Sequence, residues 1–134
     1  MPESEIKKLQ RIYTAIQQGD WEEMARSLAH DVEWTLPETL PWGGTHHGHL
    51  GVQAITEAFG ERYDGLWADP DEFIDDGDSI VVLGRVMGRA HATGREFEVE
   101  FAHVWRMTDG VPSSFRGFFD TAPIIAALGE TSSS

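Results

Sequence analysis

The chain has 134 residues, enough for one domain, with five tryptophans and seven phenylalanines to fill a core and a formal net charge of −13 at pH 7. The acidic residues are spread over Glu22-Glu23, Asp69 to Asp78 and Glu96, Glu98 and Glu100, a distribution that suits solubility at high salt and offers nucleic acid no basic footprint. The absence of cysteine excludes disulfides and thiolate metal sites. The start MPESEIKK lacks a signal peptide's apolar core, and no run of ~20 apolar residues is present to span a bilayer, so the expected location is cytoplasmic.

In chain order, Ile6, Leu9, Ile12, Tyr13 and Ile16 recur at helical spacing with Lys7, Lys8, Gln10 and Arg11 on the other side, until Gly19 ends the pattern. Asp20 with Glu23 three residues on forms a capping box for a short helix whose stripe is Trp21, Met24 and Leu28. The period then changes: Val32, Trp34 and Leu36 alternate with Glu33 and Thr35 as a half-buried strand, broken by Pro37 and Pro41. A Pro/Gly-rich loop is predicted over Glu38 to Gly48, then a third helix carrying Val52, Ile55 and Phe59 up to Tyr63.

Strands are predicted over Glu72 to Ile74 and Ser79 to Ala90, separated by a turn at Asp76-Gly77-Asp78. From Arg95 onward Phe97, Val99, Phe101, His103, Trp105 and Met107 fall on one face and Glu96, Glu98, Glu100 and Arg106 on the other. Thr108-Asp109-Gly110 supplies turn chemistry, and Ser114 to Phe119 returns antiparallel. Asp120 or Thr121 caps a last helix, Pro123 to Leu128, and 129–134 reads as a flexible tail behind a single domain with its core at about 5–128. This order predicts an α+β fold: one curved antiparallel sheet with helices packed on its concave face, enclosing a pocket.

Three stretches, AIQQGDWEEMARSLAHDVEW, GGTHHGHLGVQAI and ATGREFEVEFAHVWRMTDG with FFDTAP, resemble the nuclear transport factor 2-like superfamily, and within it the SnoaL-like proteins related to ketosteroid isomerase. The resemblance implies a cone-shaped fold, dimeric through the outer sheet face, with a ligand pocket inside the cone. It also shows departures. Leu36 stands where the isomerases place a base Asp, Ile12 where they place an oxyanion-hole Tyr with Tyr13 one residue off, and Gly117 where cyclases and epoxide hydrolases carry an Asp. His103 matches an inward position filled by Asp in the isomerases and by His in SnoaL-like cyclases.

The candidate catalytic residues are therefore His103, whose imidazole titrates near neutrality, and Tyr13 on the buried stripe of the first helix. Either can instead be a satisfied core residue. Trp34, Trp42, Trp67 and Trp105, with Phe101 and Phe115, are candidates for an aromatic ligand wall, and His46 for the pocket mouth. His46, His47 and His49 lack a metal-ligand spacing, and neither a metal nor a cofactor is expected. Asp120 reads as a helix cap rather than a base. Three readings stand: an enzyme of isomerase or cyclase type centred on His103; a binding protein for a small, largely apolar molecule without chemistry; and an interaction module using Phe118 and the outer sheet face. Room for a ligand is expected where Gly117 lacks a side chain, and a homodimer through the face that carries Phe118.

Overall fold

The computed structural model describes residues 4–129. Helix α1 (Glu5–Gln17) is capped by Ser4, whose hydroxyl accepts from the Lys7 amide, and α2 (Trp21–Arg26) by Asp20, whose carboxylate accepts from the Glu23 amide at 3.2 Å. Strand β1 (Glu33–Leu36) follows, then β2 (Gly44–His47), α3 (Gly48–Gly60), β3 (Tyr63–Asp75), β4 (Ser79–Ala90), β5 (Glu96–Thr108), β6 (Val111–Phe119) and α4 (Ala122–Ala127). The strands form one curved, unclosed sheet in the order β2-β1-β6-β5-β4-β3. Every neighbouring pair is antiparallel except β1 and β6, which run parallel with Trp34 opposite Phe115. The parallel step is possible because one helix, α3, and four strands separate β1 from β6 in sequence.

Three segments differ from the sequence expectation. The loop expected over Glu38 to Gly48 ends in β2, an edge strand that pairs only with β1; four residues containing Gly44 show no alternation to read. Strand β3 begins at Tyr63, nine residues before Glu72, so Tyr63 opens a strand rather than closing α3. Pro70 and two register shifts interrupt its pattern, and an edge strand tolerates both. Strand β6 begins at Val111, because Asp109 (φ 54°) and Gly110 (φ 77°) make a two-residue hairpin loop with Thr108 opposite Val111. The tail expected from residue 129 lies outside the described residues apart from Gly129.

The curvature has an identifiable cause on β4. The two register shifts in β3 lie opposite Gly84 and Gly88. A Cβ on Gly84 would lie 2.3 Å from the Asp69 carbonyl oxygen and 2.9 Å from the Phe101 ring, and one on Gly88 would lie 2.7 Å from the Phe97 ring. Two inward-facing glycines thus let β3 fold over β4 and let two phenylalanine rings lie flat against the strand. The helices cover the resulting hollow. Leu9, Ile12 and Tyr13 of α1 are almost fully buried, each such burial stabilising the fold by roughly 1.5–3 kcal/mol. Polar ties fix the cover: Lys8 Nζ donates to the Gly110 carbonyl at 2.7 Å, Gln17 to the Ala68 carbonyl at 2.7 Å, and Tyr63 to the Ile124 carbonyl at 2.8 Å. Among the described residues no helix is long and apolar enough to cross a membrane.

Candidate functional site

Between helices and sheet lies a cavity of about 120 Å³. Tyr13, Met24, Val52, Ile55 and Ile124 line it from the helices, Trp42 from the loop before β2, and Trp34, Val86, His103, Trp105, Phe115 and Phe119 from the sheet. Apart from indole nitrogens its only polar side chains among the described residues are Tyr13, Thr56 and His103, and none of the described charged residues lines it. Trp34 stacks on Phe115 with ring centroids 4.0 Å apart and meets Trp105 edge-on at 5.6 Å, so aromatic faces form one wall.

His103 and Tyr13 are brought together although 90 residues separate them. Strand alternation turns His103 inward, helical spacing turns Tyr13 toward it, and the phenol oxygen lies 2.6 Å from His103 Nδ1. Trp105 Nε1 donates to the same phenol oxygen at 3.1 Å. That oxygen, accepting from Trp105, has its own proton left to give, and His103 Nδ1 is the acceptor within reach. The proton of the imidazole is thereby placed on Nε2. No group of the described residues bonds Nε2, no buried side-chain nitrogen or oxygen among them lacks a partner, and the imidazole borders the cavity.

Burial decides the charge of both groups. Desolvation lowers the His103 pKa to about 3, so the ring is neutral at physiological pH. Burial pushes the Tyr13 phenol well above its ordinary value, against a smaller lowering by the Trp105 hydrogen bond, so it stays protonated. The imidazole is half-buried by surface exposure and borders the apolar cavity, and desolvation is the cause of its lowered pKa. Phe101 stacks behind it at 3.8 Å. The trio supplies one neutral N–H donor at an apolar cavity and offers no proton acceptor of ordinary basicity.

Other expected site residues divide. Trp34, Trp42, Trp105 and Phe115 border the cavity; Phe101 backs His103 without bordering it. Trp67 is on the opposite face of β3 from Ala68, 48% exposed, and lines an outer cleft instead. His46 does not border the cavity: its Nε2 is bonded to the Trp42 carbonyl at 3.0 Å, holding the loop. His49 bonds the Leu28 carbonyl and His47 is exposed, so the three histidines diverge. Asp120 accepts from the Ala122 amide at the start of α4. The room expected beside Gly117 is taken: a Cβ there would lie 3.1 Å from the Phe119 ring and 3.3 Å from both Leu36 and Phe115. Phe119, Phe59 and Met24 were not anticipated as lining, although the alternation Phe115, Gly117, Phe119 points Phe119 inward.

Ile16, Trp21, Thr56, Phe59, Leu66 and Phe97 line both the cavity and a broad cleft of about 930 Å³. This cleft is the larger space, but its wall is exposed and mixed in charge, with Asp64, Arg89, His91, Glu96 and Glu98. At its rim His91 bonds Asp64 through Nδ1 and the Gly60 carbonyl through Nε2 at 2.9 Å.

The SnoaL-like domain model matches residues 9–111. A nuclear transport factor 2-like protein of unknown function from Burkholderia pseudomallei superposes with a TM-score of 0.88 at 33% identity, covering 96% of this chain and 100% of its own. TerC, co-crystallised with polyporic acid, gives 0.86 at 28% identity, covering 94% and 98%. A protein with a ketosteroid isomerase-like fold from Catenulispora acidiphila gives 0.82 at 12% identity, covering 95% of each chain, a likeness of fold alone. No curated protein matches the sequence.

Proposed function

The chain belongs to the SnoaL-like domain family, and from that premise we propose that it holds a small, largely apolar molecule in the internal cavity, with His103 Nε2–H donating to an acceptor atom of that molecule. The carrying observation is the Trp105, Tyr13, His103 hydrogen-bond chain, which leaves Nε2 without a partner among the described residues at an apolar cavity. A neutral donor in a dry cavity stabilises negative charge developing on a ligand oxygen. It does not abstract a proton, and with Leu36 in the wall and Gly117 opposite His103 no carboxylate of the described residues borders the cavity to do so. The function is therefore binding with polarisation of one acceptor, and any isomerase- or cyclase-type chemistry rests on charge stabilisation rather than on a histidine base. The relative TerC, co-crystallised with polyporic acid, supports a small organic occupant.

Titration with acetophenone, followed by tryptophan fluorescence, tests this reading. Binding is expected to saturate, to stay constant from pH 8 down to about 5 because His103 remains neutral there, and to weaken roughly 5- to 10-fold in His103→Phe through the lost hydrogen bond. Affinity that halves near pH 6.5 would show an ordinarily titrating imidazole and sink the donor role.

The protein is further proposed to act as a homodimer through the outer sheet face. Ile74 and Phe118 are 42% and 46% exposed there, beside half-buried Val81, Leu83 and Val104, with Arg116 over the Phe118 ring at 5.0 Å. Sedimentation at micromolar concentration is expected to give a dimer, and Phe118→Lys a monomer.

A further inference from the structure

The inner end of the cavity is closed by a side chain that crosses a gap in the neighbouring strand. Gly117 faces His103 directly across the β5–β6 pair, so a bare backbone lies beside the imidazole. The gap is not left to a ligand. Phe119, two residues on and on the same face, leans back until its ring is 3.1 Å from where a Gly117 Cβ would be, with Leu36 and Phe115 at 3.3 Å completing the plug. All three side chains also border the cavity. What remains is about 120 Å³, somewhat less than the ~150 Å³ apolar cavity that holds one benzene molecule.

Resting on the binding reading above, we propose that the part of the ligand seated beside His103 is a single neutral ring bearing the acceptor atom, and that Phe119 is the residue that sets this one-ring limit. Neutrality follows from the wall, since an ion inside would find no counter-charge among the lining residues. The size limit follows from packing: the Phe119 ring, Leu36 and Phe115 converge on the space above Gly117, so a second fused ring at this corner must displace Phe119. Any larger portion of the molecule extends toward Thr56 and Phe59, the residues common to the cavity and the cleft.

The test compares acetophenone, one ring with a carbonyl, with 2-acetylnaphthalene, two fused rings with the same carbonyl, on the wild type and on Phe119→Ala, by calorimetry and tryptophan fluorescence. The wild type is expected to prefer the single ring by roughly 10- to 200-fold, the range over which an apolar pocket discriminates by size. Phe119→Ala is expected to erase or invert that preference. Equal or tighter binding of the two-ring compound by the wild type would overturn the size limit, and an unchanged preference in Phe119→Ala would overturn the role of Phe119. Benzoate binding as tightly as acetophenone would overturn the neutrality. If neither compound binds either protein, the cavity is not the binding site and the underlying function fails with it. Should Phe119→Ala not fold, Phe119→Leu and Leu36→Ala each open the same corner by less and should shift the preference in the same direction.

Discussion

Two histidines mark two regions of the molecule and are driven in opposite directions. His103 borders the apolar cavity with a phenol that gives it a hydrogen bond at Nδ1, and burial alone pushes its pKa down to about 3. His91 sits at the wet rim of the outer cleft between two acceptors, the Gly60 carbonyl at the C-terminus of α3 and the Asp64 carboxylate. The carbonyl raises its pKa most, desolvation opposes that rise, and the carboxylate's bond and charge add smaller raises, so the net shift is upward. Two acceptors need two ring protons, so the rim histidine is built for the charged form and the cavity histidine for the neutral one. Solvent access, more than ligand identity, separates a site that handles apolar matter from one that handles charge.

The largest way to break this contrast is acid. His103 has a depressed folded-state pKa, so between about pH 6.5 and 3 the unfolded chain binds the extra proton and stability rises with pH across that window. The contribution is complete above the unfolded value near 6.5 and is lost as pH falls, on the order of 3–5 kcal/mol when fully expressed. Denaturant titrations at pH 7, 5 and 4 should show that loss in the wild type and a clearly shallower fall in His103→Phe. Parallel curves for the two proteins would mean that His103 is hydrated and charges at its ordinary pH.

A second way is steric and compares a glycine on the inward face of β4 with one of the rim. A Cβ on Gly84 meets backbone at 2.3 and 2.8 Å, whereas one on Gly60, at the end of α3, meets nothing within 4 Å. Gly84→Ala is expected to cost about 2–3 kcal/mol by forcing β3 off β4, and to flatten the curvature that makes the cavity. Gly60→Ala should be neutral or stabilise by about 0.5–1 kcal/mol through helix propensity. Urea midpoints measure both, and equal effects would show that the close approach at Gly84 relaxes without cost.

These same positions show where sequence reading reached and where it stopped. Strand β5 was legible throughout, because Phe97 to Met107 alternate without interruption and Asp109-Gly110 can make only a tight reversal. The inward placing of His103 and the buried placing of Tyr13 followed from period alone. Their hydrogen bond did not, since it depends on how far α1 slides along β5, a matter settled by Lys8 on the Gly110 carbonyl and Gln17 on the Ala68 carbonyl. The first half of β3 was hidden by register shifts and Pro70, and β2 by its brevity. Gly117 was misread as open space because composition says nothing of the neighbour that fills a gap, and Trp67 was counted into the wall because its strand was not recognised, which left its face unassigned.

The smallest expected effect is at the rim, and its sign is opposite to the first. His91 has a raised folded-state pKa, so its contribution is fully present below the unfolded value near 6.5 and is lost as pH rises through the folded one. Above that point one ring nitrogen can no longer donate, and either the Asp64 or the Gly60 bond breaks. The groups that face it are Asp64, the Gly60 carbonyl and, through Asp64, the Arg89 guanidinium at 3.9 Å, all solvent-exposed, so the effect is screened by salt. Thermal melts from pH 6 to 9 in low salt should show a slight decline in the wild type that disappears in His91→Gln and shrinks at high salt. A decline that persists in His91→Gln would belong to some other group, and the contrast between a charged rim and a neutral cavity would then rest on His103 alone.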